Sequence, residues 1–246
     1  EPRLAPDGRH LAYYSTRFNA QGVAVVDLTS GTITPDSSQQ LTNVPGDARD
    51  SPPTWSFDGG RLAFASIRES DGKPRIYVKP AVADNEARSL ASGQDPAWRP
   101  LGESWIAYSG RDPSGNAPGL WLISDDGSRW RQLTSVERDR RPTWSPDAQY
   151  IVFMSDGRDD NWELYRLSLS HDHQVVGYAR LTNSPAQDGL PAISPDGKYV
   201  AFVSDKGGRW RIWVAPLDGS AKALPVAEIR GSLTNWLEHG LQWVAN

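Results

Sequence analysis

Short apolar runs separated by tight polar turns recur along the whole chain. The clearest begins at Pro191-Ala192-Ile193, breaks at Ser194-Pro195-Asp196-Gly197 and resumes at Tyr199-Val200-Ala201-Phe202-Val203-Ser204. A strand, a Gly-bearing turn and a second strand make a β-hairpin. The same pattern stands four more times upstream. Leu4-Ala5-Pro6-Asp7-Gly8 runs into Leu11-Ala12-Tyr13-Tyr14-Ser15, and Trp55-Ser56-Phe57-Asp58-Gly59 into Leu62-Ala63-Phe64-Ala65-Ser66. Trp98-Arg99-Pro100-Leu101-Gly102 precedes Ile106-Ala107-Tyr108-Ser109, and Trp144-Ser145-Pro146-Asp147 precedes Ile151-Val152-Phe153-Met154-Ser155. The leading prolines at 2, 53, 96, 142 and 191 set a period of 43 to 51 residues, the length of a blade repeat.

Each repeat continues in the same way. A third run follows the hairpin (Val23-Ala24-Val25-Val26, Ile76-Tyr77-Val78, Leu120-Trp121-Leu122-Ile123, Leu164-Tyr165-Arg166-Leu167, Ile212-Trp213-Val214), and a fourth closes on Leu41-Thr42, Leu90-Ala91, Leu133-Thr134, Leu181-Thr182 or Leu224-Pro225. Four antiparallel strands per repeat, without helical periodicity, predict an all-β propeller formed as a single domain over 1–246. Residues 234–245 align with the opening hairpin of a sixth repeat, Trp236 falling at Ile193. The expected ring is therefore six-bladed, with five complete blades and half of a sixth; a five-bladed ring is the alternative. Trp55, Trp98, Trp144 and Trp236, with Leu4 and Ile193, are expected to wedge between neighbouring blades. Asp50, Asp139 and Asp188 each stand five residues before that position and are expected to bond loop backbone. Arg99 replaces the turn serine, and an ion pair between blades is its expected role.

The repeated Pro-x-Trp-Ser-Pro-Asp-Gly, then Ile-Ala-Phe-x-Ser, Ile-Tyr-Val and Leu-Thr, resembles the TolB-type, WD-like β-propeller family of bacterial proteins. The resemblance covers essentially the whole chain. It implies a six-bladed propeller that most often binds proteins or peptides. TolB itself also carries an N-terminal α/β domain, which nothing here resembles. Related propellers serve as gating domains of prolyl-oligopeptidase-like peptidases and as sensor modules of larger signalling proteins.

Composition narrows the chemistry. The chain of 246 residues has no Cys, so disulfides, thiolate metal sites and a Cys nucleophile are ruled out. A formal charge of −4 without a basic run argues against nucleic acid as a partner, and no apolar run reaches the length of a membrane span. The chain opens on Glu1, which reads as a piece of a longer protein whose other domains are also candidate partners; the compartment is left open between extracytoplasmic and cytoplasmic. No G-x-S-x-G, H-E-x-x-H, Walker or G-x-G-x-x-G motif is present, so neither catalytic residues nor a cofactor are expected. His171-Asp172-His173 and the 156–161 segment have a metal-like look but read as polar turns, and no metal is expected.

Strand order places the turns after strands one and three at one end of a blade, short and nearly uniform. The other end carries the variable segments 66–75, 110–119, 156–163, 205–211, 43–51 and 135–141. Variable loops on a rigid scaffold are where recognition concentrates. Arg138, Arg140 and Arg141 entering the fourth blade, with Trp210 and Arg211 in the fifth, are the expected partner-binding residues, since Arg and Trp dominate protein interfaces. A non-enzymatic module that binds a protein or peptide is the leading expectation, a gating propeller for a peptidase the second, and a carbohydrate-active propeller a third without its own signal.

Overall fold

The tight turns have one internal design in the computed structural model. Ser56, Ser124, Ser145 and Ser194 each donate their hydroxyl to the Asp two residues on, at 2.5 to 2.6 Å. The same Ser oxygen accepts the backbone N–H five residues on, from Arg61, Arg129, Tyr150 and Tyr199. The Asp in turn accepts the N–H two residues beyond itself, from Gly60, Ser128, Gln149 and Lys198. The residue after the Asp must take positive φ, as Gly59, Gly127, Ala148 and Gly197 do. Ser-x-Asp-Gly recurs because every polar group of the turn finds its partner within it.

The structure describes residues 2–16, 21–29, 31, 37–43, 50–83, 85–230 and 233–244. Antiparallel four-stranded meanders repeat through it, each in simple chain order. The first comprises β1 (Arg3–Leu4), β2 (His10–Ser15), β3 (Gly22–Asp27) and β4 (Ser38–Gln40). The second runs through β5 (Thr54–Trp55), β6 (Arg61–Ser66), β7 (Arg75–Pro80) and β8 (Arg88–Trp98). β8 continues without a break into the third, with β9 (Trp105–Arg111), β10 (Pro118–Ser124) and β11 (Trp130–Gln132), so the two share a seven-stranded sheet. The fourth holds β12 (Asp139–Trp144), β13 (Tyr150–Ser155), β14 (Glu163–Leu169) and β15 (Val175–Arg180). The fifth holds β16 (Asp188–Ile193), β17 (Tyr199–Ser204), β18 (Arg211–Pro216) and β19 (Leu224–Glu228). The chain divides into two compact units, 1–132 and 133–246.

Within the first unit the alternating residues of one strand feed different cores. Leu62 and Phe64 of β6 pack with Ala12, Val23 and Trp55, while Ala63 and Ala65 pack with Trp98, Ile106 and Tyr108. Both faces of the middle meander are thus buried, which a lone four-stranded sheet cannot achieve. The expected wedges at Trp55, Trp98, Trp144 and Ile193 are buried, and the Trp55 indole donates across to the Arg3 carbonyl at 2.9 Å. In the second unit one core joins the fourth and fifth meanders through Val152, Met154, Leu164, Leu190, Phe202 and Trp213.

The Asp series works differently from expectation. These carboxylates bond side chains. Asp50 accepts the Thr42 hydroxyl, which itself accepts the N–H of Val23 at 2.8 Å, and it also pairs with Arg68 at 2.6 Å. Asp139 takes both Nε and Nη2 of Arg158, at 3.0 and 2.6 Å. Among the described residues Arg99 forms no ion pair between blades. Its Nη1 donates to the Leu101 carbonyl at 2.6 Å, closing the one turn whose Asp has become Leu101.

The tail also departs from the repeat. Residues 233–244 form no strand; a 3-10 turn covers Trp236–Glu238, preceded by Asn235 in the left-handed region. Opening a sixth meander would require partner strands, and an isolated hairpin is marginal in water. Trp236 is therefore no inter-blade wedge, and it packs instead against the core of the second unit.

Candidate functional site

The candidate surface is shaped by a bulge. In β12 the register slips between Arg140 and Thr143, and Arg141 sits at φ 53 before Pro142. β8 and β16 repeat the device, with Asp95 at φ 55 before Pro96 and Leu190 at φ 56 before Pro191. A left-handed non-Gly residue costs on the order of 1 kcal/mol, so the surrounding strands must hold it there. Bulges bend a strand and re-aim side chains, and that is the effect here.

The expected residues go separate ways. Arg138 turns to Asp156, with its Nε 2.7 Å from Oδ1 and its Nη2 on Oδ2. Arg140 lies half-buried in β12 opposite Met154. Arg141 sends its Nη2 to the Leu237 carbonyl in the tail. Trp210 packs against Trp236 with ring centroids 5.2 Å apart and planes inclined at 38°. Arg211 opens β18, paired in register with Ser204 and Glu228. Arg141 and Trp210, contributed by successive meanders, thus meet the same segment of chain.

Residues absent from the expectation complete the arrangement. Trp162 meets Trp236 edge-on, 6.2 Å between centroids at 88°. Gly189 gives the indole its room: a Cβ there would stand 2.6 Å from Cζ3 of Trp236 and 2.8 Å from the Met154 methyl. The repeat itself held the signal for both. Trp162 and Trp210 each stand immediately before the third strand of their meander, and Gly189 stands where Ser51, Gln94 and Arg140 stand elsewhere.

Asp156, Asp159 and Asn161 of the acidic loop 156–161 are engaged in protein contacts. Asp156 holds Arg138, Asp159 accepts from the Tyr165 hydroxyl and from Arg180, and the Asn161 amide donates to the carbonyls of Ser184 and Ala186. His171-Asp172-His173 is another copy of the Ser–Asp turn: Ser170 donates to Asp172 at 2.5 Å and His173, at φ 63, takes the glycine position. Among the described residues no three His, Asp or Glu side chains gather as metal ligands. The 43–51 link lies outside the described residues except at its ends.

The opposite end of the second unit carries the uniform turns and a cleft of about 390 Å³ between Tyr150, Arg166, Lys198, Tyr199 and Asp218. Arg166 is held within it by the Leu217 carbonyl at 2.7 Å and by the Tyr150 ring at 4.9 Å. Asp196 and Asp218 have their acidities strengthened by hydrogen bonds from Ser194 and Ser220. These carboxylates serve the turns they sit in.

Repeated antiparallel meanders whose faces bury one another define a β-propeller. The chain belongs to the TolB beta propeller domain family, whose model matches residues 1–175. Among curated relatives it is 28% identical over 195 residues to the uncharacterized peptidase YuxL of Bacillus subtilis, covering 62% of this chain and 29% of that protein. It is 31% identical over 151 residues to the protein TolB homolog of Chlorobium chlorochromatii, covering 60% and 31%. The chain thus spans less than a third of the length of these relatives. Among solved structures, TolB from Acinetobacter baumannii superimposes with a TM-score of 0.68 at 20% identity, over 93% of this chain and 54% of that one. An oligogalacturonate lyase in complex with manganese gives 0.66 at 17%, over 97% and 67%. At these identities the likeness is one of fold.

Proposed function

We infer that the chain is a non-enzymatic propeller module that binds a protein or peptide, using the end of the second unit where Arg138, Arg140, Arg141, Trp210 and Arg211 lie. One observation carries this reading. Arg141 and Trp210, from two successive meanders, converge on a single stretch of polypeptide, the one by a hydrogen bond to its backbone and the other by a tilted ring contact. An Arg donor and a Trp face are the groups that anchor polypeptide at interfaces. Membership of the TolB family agrees with it. At the other end the Ser and Asp side chains are committed to their own turns.

A second reading has its own support. The likeness to YuxL covers 62% of this chain but only 29% of a longer protein named as a peptidase. A propeller that screens access to a catalytic domain in the same polypeptide fits that proportion.

Affinity capture from the native extract, with mass spectrometry, separates the two. With the binding module, Arg140→Ala with Arg141→Ala abolishes capture of a discrete partner while Asp218→Asn retains it. Loss on Asp218→Asn with retention in the Arg pair would place recognition at the wrong end. Peptidase turnover by the full-length protein, with a size limit that relaxes when this chain is deleted, would favour the gate.

A further inference from the structure

The Trp236 indole occupies a slot built from two meanders. Its floor is the bare backbone of Gly189 and the methyl of Met154; its walls are the rings of Trp162 and Trp210. At the mouth, Arg141 donates to the carbonyl of the residue that follows the indole. Each wall has a fixed position. Trp162 and Trp210 are anchored where β14 and β18 begin, and Gly189 and Arg141 lie at the bulges of β16 and β12. At the Gly189 position the other hairpins carry Ser51, Gln94 and Arg140, so the second unit offers this opening in the fifth meander, where a side chain would fill it.

The occupant is the chain's own segment 235–237, with Asn235 at φ 58 and a single 3-10 turn after it. The Trp236 ring and the Leu237 carbonyl hold it, with Leu233 and Leu241 packing against the same core to either side; Thr234, Asn235, Leu237 and Glu238 are exposed, and no residue of the 3-10 turn is buried. A short segment with no fully buried residue exchanges readily, because few buried contacts oppose its release.

We propose that Gly189, Met154, Trp162, Trp210 and Arg141 form a recognition site for a tryptophan-bearing peptide, which the segment around Trp236 fills in this structure and an incoming peptide takes by displacing it. This rests on the reading of the chain as a peptide-binding module and names what the partner must present. It must offer an indole, followed by a carbonyl free to accept from Arg141. A tethered occupant competes at an effective concentration on the order of millimolar. Affinity for a peptide in trans is therefore lowered by the fraction of sites so filled. Removing Trp236 should uncover the site.

The test uses the full chain carrying Trp236→Ala and a fluorescent synthetic peptide of sequence LTNWLEHGL, taken from residues 233–241, read by anisotropy. The variant binds this peptide, the unsubstituted chain binds it at least about tenfold more weakly, and the peptide with its Trp replaced by Ala does not bind. Adding Trp210→Ala to the variant weakens binding about thirtyfold, as removal of an anchor does. Adding Gly189→Ala, which leaves both tryptophans in place, weakens it as well. Near-ultraviolet circular dichroism confirms that each variant is folded. Binding that ignores the peptide's Trp, or a folded Trp236→Ala variant that does not bind, overturns the slot. Neither result touches the wider reading, which stands or falls on partner capture by the Arg140 and Arg141 variant.

Discussion

Asp139 and Asp188 occupy the same place in successive meanders, and their surroundings are opposite. Both are buried, and both face the serine that ends the second strand, Ser155 or Ser204. Asp139 is gripped by the fork of Arg158, whose guanidinium lies 5.0 Å from the centre of Tyr178 and 5.5 Å from those of Phe153 and Tyr165. Among the described residues no guanidinium pairs with Asp188. Where the fourth meander places Arg158, the fifth has Lys206, whose ammonium lies over Trp213 at 5.4 Å. Asp188 has hydroxyls about it, Ser184 at 3.2 Å with Ser204 and Thr182, and Glu163 as a charged neighbour. Its carboxyl is pushed up to about 6, first by burial and then by the Glu163 charge, against the pull of the Ser204, Ser184 and Thr182 hydroxyls. Glu163 shares Arg180 with Asp159, and neither Glu163 Oε2 nor Asp188 Oδ1 has a hydrogen-bond partner among the described residues. One repeat position thus stabilises the fold in one meander and strains it in the next. The partner cation decides which.

Breaking the satisfied copy has the largest expected effect. Arg158→Ala leaves Asp139 buried and unpaired and removes a plate from the three-ring stack. Stability should fall by about 3–5 kcal/mol, read as the denaturant midpoint. Arg158→Lys should recover little, because an ammonium cannot make the bidentate pair.

Repairing the strained copy is next. A carboxyl whose folded value lies near 6, above its ordinary 3.8, stays protonated in the fold after the unfolded chain has released its proton. Its contribution is full below pH 3.8 and is lost as the pH rises to about 6, with the deficit constant above. Asp188→Asn should therefore be more stable than the unsubstituted chain at pH 7.5, by up to about 3 kcal/mol, and the difference should shrink towards pH 4. Urea midpoints of the two proteins across that range would show it; a constant difference would mean that Asp188 is ionised throughout.

The turns give a smaller effect. Ser145→Ala removes a buried hydroxyl and orphans the N–H of Tyr150, a loss of about 1–2 kcal/mol. Least of all, Arg138→Ala should leave the melting temperature unchanged, because the pair with Asp156 has Arg138 64% exposed. A clear drop there would show that the exposed pair braces the loop.

Much of this architecture could be read before any coordinates. The hairpins, the strand-ending Leu-Thr pairs and the buried Trp55, Trp98 and Trp144 follow from alternation and turn chemistry, both local properties. What escaped depends on partners distant in the chain. Arg138 and Arg141 are the same residue type three positions apart, yet one pairs with Asp156 and the other reaches the Leu237 carbonyl. Arg99 looked like one half of an ion pair because the carbonyl it satisfies belongs to a turn that had lost its Asp. Trp236 matched Ile193 in the repeat, yet a strand needs a neighbour to pair with, and no alignment can supply one. The slot at Gly189 was visible only as a missing side chain.

The Ser–Asp turn has a consequence for how such chains lengthen. Its hydrogen bonds close within six residues and ask nothing of the strands beyond. Two copies of the gene that recombine inside this stretch regenerate an intact turn where the halves come from the hairpins of Ser56, Ser145 or Ser194. The turn is thus a natural splice point. Whole blades can be duplicated or deleted there without a new connection having to be invented.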